Sequence, residues 1–277
     1  MKTLFVSDLD GTLLNNNSEI SPCSRDILNS VIADGALFSI ATARTPATIA
    51  DITRGVNLNL PLVVMTGVAL WNRDKNQYSN IHYIDPTAVD EMMAIYRNCN
   101  VPTFLYTLED NMIIIYHQGE MTPEARLFMD QRINSPYKRF VVDSLGRSAI
   151  PAAPQNALLL YSMYPSLPAK RVYDLTSRLP EVNALFYHDI WGPEIALLEA
   201  FPATASKAVG IRDLARICGA DRIVAFGDNL NDIPMLKAAD MAVAVENAVD
   251  EVKKCADIVI GPNTEDSVAK FILDNYN

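Results

Sequence analysis

The chain has 277 residues, 49% of them hydrophobic and 20% charged, and 23 Lys+Arg against 33 Asp+Glu leave a formal net charge of −10. That length suits two domains or one domain carrying a large insertion, with enough apolar material for a core that needs no staples. The acidic balance argues against non-specific nucleic-acid or membrane-surface binding, so an anionic ligand would have to find its positive field in a few basic residues, a cation or helix N-termini.

Taken in chain order, Leu4-Phe5-Val6 reads as a buried strand. Ser21-Pro22 is an N-cap followed by proline at the first helical position, and Ile27, Leu28, Val31 and Ile32 give the helix an apolar face that stops at Gly35. Ala36–Ala41 is a second strand, Thr45-Pro46 repeats the cap-plus-proline start, and Leu62–Met65 is a third strand. Strands apolar on both faces and alternating with helices indicate a parallel sheet covered on both sides. The same grammar returns near the end. A helix over Ser206–Cys218 is followed by strand Ile223–Phe226, helix Asp232–Ala238, strand Met241–Val245, helix Ala248–Cys255, strand Ile258–Ile260 and helix Asp266–Asp274.

The middle differs. A helix opened by Asp85-Pro86, strands at Thr103–Thr107, Met112–His117, Asn156–Tyr164 and Asn183–His188, and a helix over Ala169–Leu179 suggest a mixed α+β insertion. The expected fold is therefore α/β: a doubly wound, Rossmann-like parallel-sheet core built from residues 1–81 and 190–277, interrupted by an inserted α+β cap over residues 82–189. Cys23, Cys99, Cys218 and Cys255 lie far apart and read as small apolar fillers in a reducing compartment. No apolar run approaches the ~18 residues of a membrane span. Met1–Asp8 meets an acid too early for a signal peptide, so a cytoplasmic protein is expected.

Asp8-Leu9-Asp10-Gly11-Thr12-Leu13 follows directly on the first strand. Ligands of parallel α/β sheets bind beyond the carboxyl ends of strands. Two carboxylates there, with Gly11 permitting a turn, can supply a nucleophile toward phosphorus and a general acid and base, although a capped turn explains the same residues. Gly227-Asp228-Asn229-Leu230-Asn231-Asp232 follows another strand and offers hard oxygen ligands suited to Mg²⁺; Asn231 or Asp232 would equally cap the next helix. Thr42-Ala43-Arg44 ends the second strand, where a hydroxyl and the following amides can meet phosphoryl oxygens. Lys207, at a helix start, can neutralise phosphate, though a lone helical lysine is ordinarily a surface residue. Together the four supply the parts for phosphoryl transfer.

These four ordered motifs resemble those of the haloacid dehalogenase superfamily, and the long insertion is similar to the α/β cap of its Cof-type sugar-phosphatase branch. The resemblance implies that Asp8 is the nucleophile and an Mg²⁺ ligand. Asp10 would be the general acid and base, with its carbonyl on the metal. Asp228 would ligate Mg²⁺ and Asp232 support the metal shell. Leu9, Thr42, Ala43, Arg44, Lys207 and Asn231 would bind the phosphate or substrate. The chain departs from the family's usual residues at Ala43, Thr66, Ala208 and Ser267, where glycine or, before Gly67, asparagine is common.

His82, His117 and His188 read as packing or surface residues, Met92-Met93 as helix core, and Trp71 and Trp191 as packing at domain edges. Trp191 and Glu194 are candidates for substrate contact, because the chain is expected to re-enter the core near them. The leading expectation is a cytoplasmic Mg²⁺-dependent phosphohydrolase acting on a small phosphorylated metabolite, most naturally a sugar phosphate. It would work as a monomer or small homo-oligomer, with neither nucleic acid nor membrane as partner. A phosphomutase and a catalytically silent phosphometabolite-binding protein are the alternatives.

Overall fold

The apolar runs at Leu4–Val6, Ala36–Ala41 and Leu62–Met65 all become strands in the computed structural model, which describes residues 1–152, 154–188 and 194–276. Two units result: Met1–Ile81 together with Ala205–Asn277, and His82–Thr204. The chain opens with β1 (Thr3–Ser7), α1 (Pro22–Ala33), β2 (Leu37–Ile40), α2 (Pro46–Ile52), β3 (Leu62–Val64), β4 (Ala69–Asn72) and β5 (Gln77–Ser79). The second unit carries α3 (Pro86–Asn98), β6 (Thr103–Glu109), β7 (Met112–Gln118), α4 (Pro123–Asp130), β8 (Lys138–Val141), β9 (Ala157–Pro165), α5 (Ser166–Thr176), β10 (Val182–His188) and β11 (Ile195–Pro202). The first unit is then completed by α6 (Lys207–Cys218), β12 (Arg222–Gly227), α7 (Ile233–Ala238), β13 (Met241–Val245), α8 (Asp250–Cys255), β14 (Ile258–Ile260) and α9 (Ser267–Asn275).

The first unit is built on a five-stranded sheet in the order β14-β13-β12-β1-β2, parallel throughout. Leu4, Phe5, Val6 and Ser7 are all buried, as are Ile223 to Gly227, so both faces of the central strands are covered. α1 packs with α9, and α7 packs with α6 and α8. The chain leaves β1 toward β2 but leaves β12 toward β13, in the opposite direction. The carboxyl ends of β1 and β12 therefore form the crevice where winding reverses, the place such folds bind ligands.

β3 departs from expectation. Among the described residues its backbone pairing with the parallel sheet is the single Ala41–Val63 bridge, and it pairs antiparallel with β4, which pairs with β5. The reason is local: Met65, Thr66 and Gly67 take φ values of 51°, 57° and 90°, and this left-handed run turns the chain straight back. The helix starts follow the sequence pattern more closely. Ser21 Oγ accepts from the Ser24 N–H at 2.9 Å and Asp85 Oδ1 from the Thr87 N–H at 2.9 Å, each ahead of a proline. At α2 only the proline operates, because Thr45 makes no side-chain cap.

The second unit is a six-stranded sheet in the order β10-β11-β9-β6-β7-β8, antiparallel except between β7 and β8. Val89, Met92, Met93 and Tyr96 of α3 and Val172 of α5 join Leu105, Ile114, Leu160 and Leu198 in one buried cluster. The boundary expected near residue 190 is displaced. β11 pairs with β9 and β10 in this sheet, so the unit runs to Thr204. A short apolar run such as Ile195–Leu198 does not show which sheet it joins. Glu194 accordingly belongs to this unit, where its carbonyl accepts from the Ser166 N–H, and Trp191 lies outside the described residues. Trp71 is fully buried in β4, its Nε1 donating to Asn76 Oδ1 at 3.0 Å. Among the described residues no helix is long and apolar enough to cross a membrane.

Lys138, first residue of β8, is 3% exposed and has no carboxylate partner among the described residues. Its ammonium lies 5.8 Å from the ring centroids of Tyr106 and Phe128. Burial, reinforced by the Arg132 charge, pushes its pKa down to about 7 from 10.5. The unfolded chain therefore binds the proton more tightly between those values, and stability should climb as pH rises from 7 to 10.5. Lys138→Met should raise stability by about 2 kcal/mol at or below neutrality. In thermal denaturation the gap between variant and wild type should close toward pH 10; a gap independent of pH contradicts a buried charge as its cause.

Candidate active site

Asp8 follows β1 and its N–H donates to the Phe226 carbonyl at 3.0 Å, so the first acidic residue is tied to the neighbouring strand. Beyond it Leu9–Leu13 forms a single wide turn closed by Leu14 N–H on the Leu9 carbonyl at 2.9 Å. Gly11 sits in this turn at φ +77°, and a Cβ there would lie 2.4 Å from Asp228 Oδ2. Glycine thus serves both the turn and the approach of an acid from β12. Thr12 Oγ1 completes the contact by donating to Asp228 Oδ1 at 2.8 Å.

Lys207 is the surprise of the site. The lone helical lysine is 2% exposed, and its Nζ donates to Asp8 Oδ1 at 2.5 Å and to Asp232 Oδ1 at 2.7 Å. Ser206 Oγ caps α6 by accepting the Val209 N–H at 3.1 Å, which sets the lysine at the helix start. Asp232, fully buried, spends its other oxygen on the N–H groups of Asp228 and Asn229 at 3.1 and 3.2 Å. Asp232 thus makes no side-chain cap of α7; it closes a capping box on the turn after β12 and bonds the Lys207 ammonium. The N-cap itself is Asn229, whereas Asn231 is exposed on the same turn.

The carboxylates of Asp8, Asp228 and Asp232 offer oxygens that all lie within 4.8 Å of one another. Burial raises the Asp8 carboxyl to about 7; Lys207 opposes the rise and Asp232 adds to it. Burial likewise raises Asp228 to about 6, against the hydrogen bond from Thr12. Burial alone would lower the Lys207 pKa, but Asp232 and Asp8 outweigh it and hold the ammonium charged. Three carboxylates thus face one cation, and the hard oxygen donors left over are the type that takes Mg²⁺. The residues present fit a divalent cation held by Asp8 and Asp228, with Asp232 supporting from behind.

Asp10 stands apart from this group. Its side chain is 52% exposed and is gripped bidentately by Arg44, with Nε 2.7 Å from Oδ2 and Nη2 2.6 Å from Oδ1. Thr42, 1% exposed at the exit of β2, accepts the Arg44 N–H on Oγ1 at 3.1 Å. That amide is consequently turned inward rather than out to a ligand, and Arg44 presents its guanidinium instead. Ala43 is half-buried beside it and Leu9 fully buried. The Thr66 N–H donates to the Thr42 carbonyl at 3.0 Å and the Met65 N–H to the Arg44 carbonyl at 3.1 Å, so the left-handed turn after β3 braces this segment. Of the histidines, His117 packs in the second unit against Phe104, and His82 and His188 lie in the same unit.

A family model described as haloacid dehalogenase-like hydrolase matches residues 5–272, and the chain belongs to that family. The chain is 26% identical over 278 residues to a 5-amino-6-(5-phospho-D-ribitylamino)uracil phosphatase of Bacillus subtilis (strain 168), covering 99% of this chain and 97% of that protein. It is 26% identical over 282 residues to a pyridoxal phosphate phosphatase of Escherichia coli (strain K12), covering 98% of each. A solved haloacid dehalogenase-like hydrolase from Bacteroides thetaiotaomicron superposes with a TM-score of 0.76 at 23% identity over 98% of both chains, which establishes the fold. The resemblance carried by the four motifs is thereby upheld.

Thr66 also generates a stability test. A β-branched residue at φ +57° is strained, whereas asparagine tolerates that region. Thr66→Asn should stabilise the protein by about 1 kcal/mol, a rise of roughly 2–4 °C in Tm. An unchanged or lower Tm contradicts strain at this position.

Proposed function

We propose that the protein is an Mg²⁺-dependent phosphohydrolase that cleaves small phosphomonoesters, sugar phosphates foremost, through an aspartyl-phosphate on Asp8. The observation that supports this most directly is the convergence of Asp8, Asp228, Asp232 and Lys207 at the crevice between β1 and β12. The relatives reported above, named for acting on phosphorylated small metabolites, support the substrate class.

Lys207 occupies Asp8 Oδ1 and leaves Oδ2 as the nucleophile toward phosphorus. Asp10 protonates the departing alkoxide and then takes a proton from the water that cleaves the acyl phosphate. Both of its oxygens are engaged by Arg44, so an arriving phosphate competes with Asp10 for the guanidinium and frees the carboxyl as it binds. Thr42 Oγ1 already accepts a hydrogen bond and keeps its proton to donate to a phosphoryl oxygen. Asp8, Asp228 and the Asp10 carbonyl would hold Mg²⁺, which would supply positive charge against the phosphate. Specificity for the organic group is assigned to the inserted His82–Thr204 unit.

Phosphate release from a panel of phosphomonoesters, with Mg²⁺ and with chelator, tests this reading. Activity should vanish in chelator, and Asp8→Asn should lose about 10³-fold or more in kcat. Wild-type rates in either condition contradict the mechanism, and an isomeric sugar phosphate formed without free phosphate would indicate a mutase instead.

A further inference from the structure

Lys207 fixes the Asp8 side chain, but Asp10 stands two residues farther along, on a turn that begins where the strand ladder ends. That turn is gripped from across the sheet by two asparagines. Asn247, just past β13, donates from Nδ2 to the Gly11 carbonyl at 2.7 Å. Its Oδ1 accepts the Asn263 N–H at 2.9 Å, and Asn263 Nδ2 donates to the Leu14 carbonyl at 2.7 Å. The carbonyls of Gly11 and Leu14, which bracket the second half of the turn, are thus each held by a side-chain amide. The same segment carries Val249, whose N–H donates to the Asp228 carbonyl at 3.0 Å.

The chemistry at Asn247 is specific. A backbone N–H needs an acceptor and a backbone carbonyl needs a donor, and only a primary amide offers both from one side chain of this length. Aspartate keeps the acceptor but sets a second oxygen against the Gly11 carbonyl. Alanine removes both bonds. Asn247 is exposed and meets the turn through the Nδ2 amide it donates to the Gly11 carbonyl, so burial does not explain its place.

We propose that Asn247 is a positioning residue for Asp10: by fixing the Gly11 peptide it sets where the Asp10 carboxyl stands relative to Asp8 and the leaving oxygen. The inference rests on the phosphohydrolase reading, in which Asp10 protonates the leaving group. General acid catalysis contributes about 10²–10⁴-fold and is sensitive to displacements of about 1 Å.

The test compares kcat/KM, which reports the steps up to departure of the leaving group and excludes the later hydrolysis of the aspartyl-phosphate. The two substrates are an alkyl phosphate, whose alkoxide must be protonated, and p-nitrophenyl phosphate, whose phenolate departs unaided. In kcat/KM, Asn247→Asp should lose about 10–100-fold on the alkyl ester and less than about 3-fold on the aryl ester. Asn247→Ala should reproduce the pattern without an added charge, and it decides the matter if the aspartate variant fails to fold. In an Asp10→Asn background the alkyl-ester loss from Asn247→Asp should shrink to less than about 2-fold. Equal losses on both esters would show a merely structural residue and overturn the inference. A wild-type protein that releases phosphate from neither ester contradicts the phosphohydrolase reading itself.

Discussion

A buried ammonium holding two buried carboxylates is the interaction around which the first unit is arranged. Lys207 bonds Asp8 from β1 and Asp232 from the turn after β12, joining positions 199 and 25 residues away in sequence. Breaking a buried pair by removing one partner typically costs about 3–5 kcal/mol, because it leaves an uncompensated charge. The surrounding backbone is shaped to that need. A Cβ on Gly67 would lie 2.0 Å from the Ser206 carbonyl, so the turn after β3 presses directly on the start of α6 and sets where the lysine enters. The same turn braces Thr42 and Arg44, which explains why three successive residues accept left-handed backbone.

This arrangement answers the charge problem posed by a chain of net charge −10. Lys207 bonds the carboxylates of Asp8 and Asp232. Arg44 is likewise paired, with Asp10, but at a position 29% exposed. The remaining acidic excess at Asp8 and Asp228, with both carboxyls raised by burial, is what a divalent cation would balance.

The four chemistry-bearing motifs and the parallel core were legible because strand ends and helix starts have strong local signals. The second unit was less so. α4 begins with Thr122-Pro123, the same cap-plus-proline start that marks α1, and Thr122 Oγ1 accepts the Ala125 N–H at 3.2 Å; that signal was present and went unread. β4 and β5 are too short to show periodicity, and β11 interrupts its apolar run with Glu199, so pattern alone does not mark it as a strand. The burial of Lys207 had no local signature, since its partners lie far away in sequence. Asn247 and Asn263 were invisible for a similar reason: an asparagine in a loop looks like turn chemistry until the carbonyl it holds is known.

The proposed phosphohydrolase chemistry requires Asp8 itself to become phosphorylated. Rapid acid quench of the Mg²⁺-loaded enzyme during turnover, followed by mass spectrometry of its peptides, reads this directly. A phosphate adduct should appear on the peptide containing Asp8, accumulate when Asp10→Asn slows the second step, and disappear in Asp8→Asn. Turnover that proceeds with no adduct on that peptide, or with the adduct on another residue, contradicts the account.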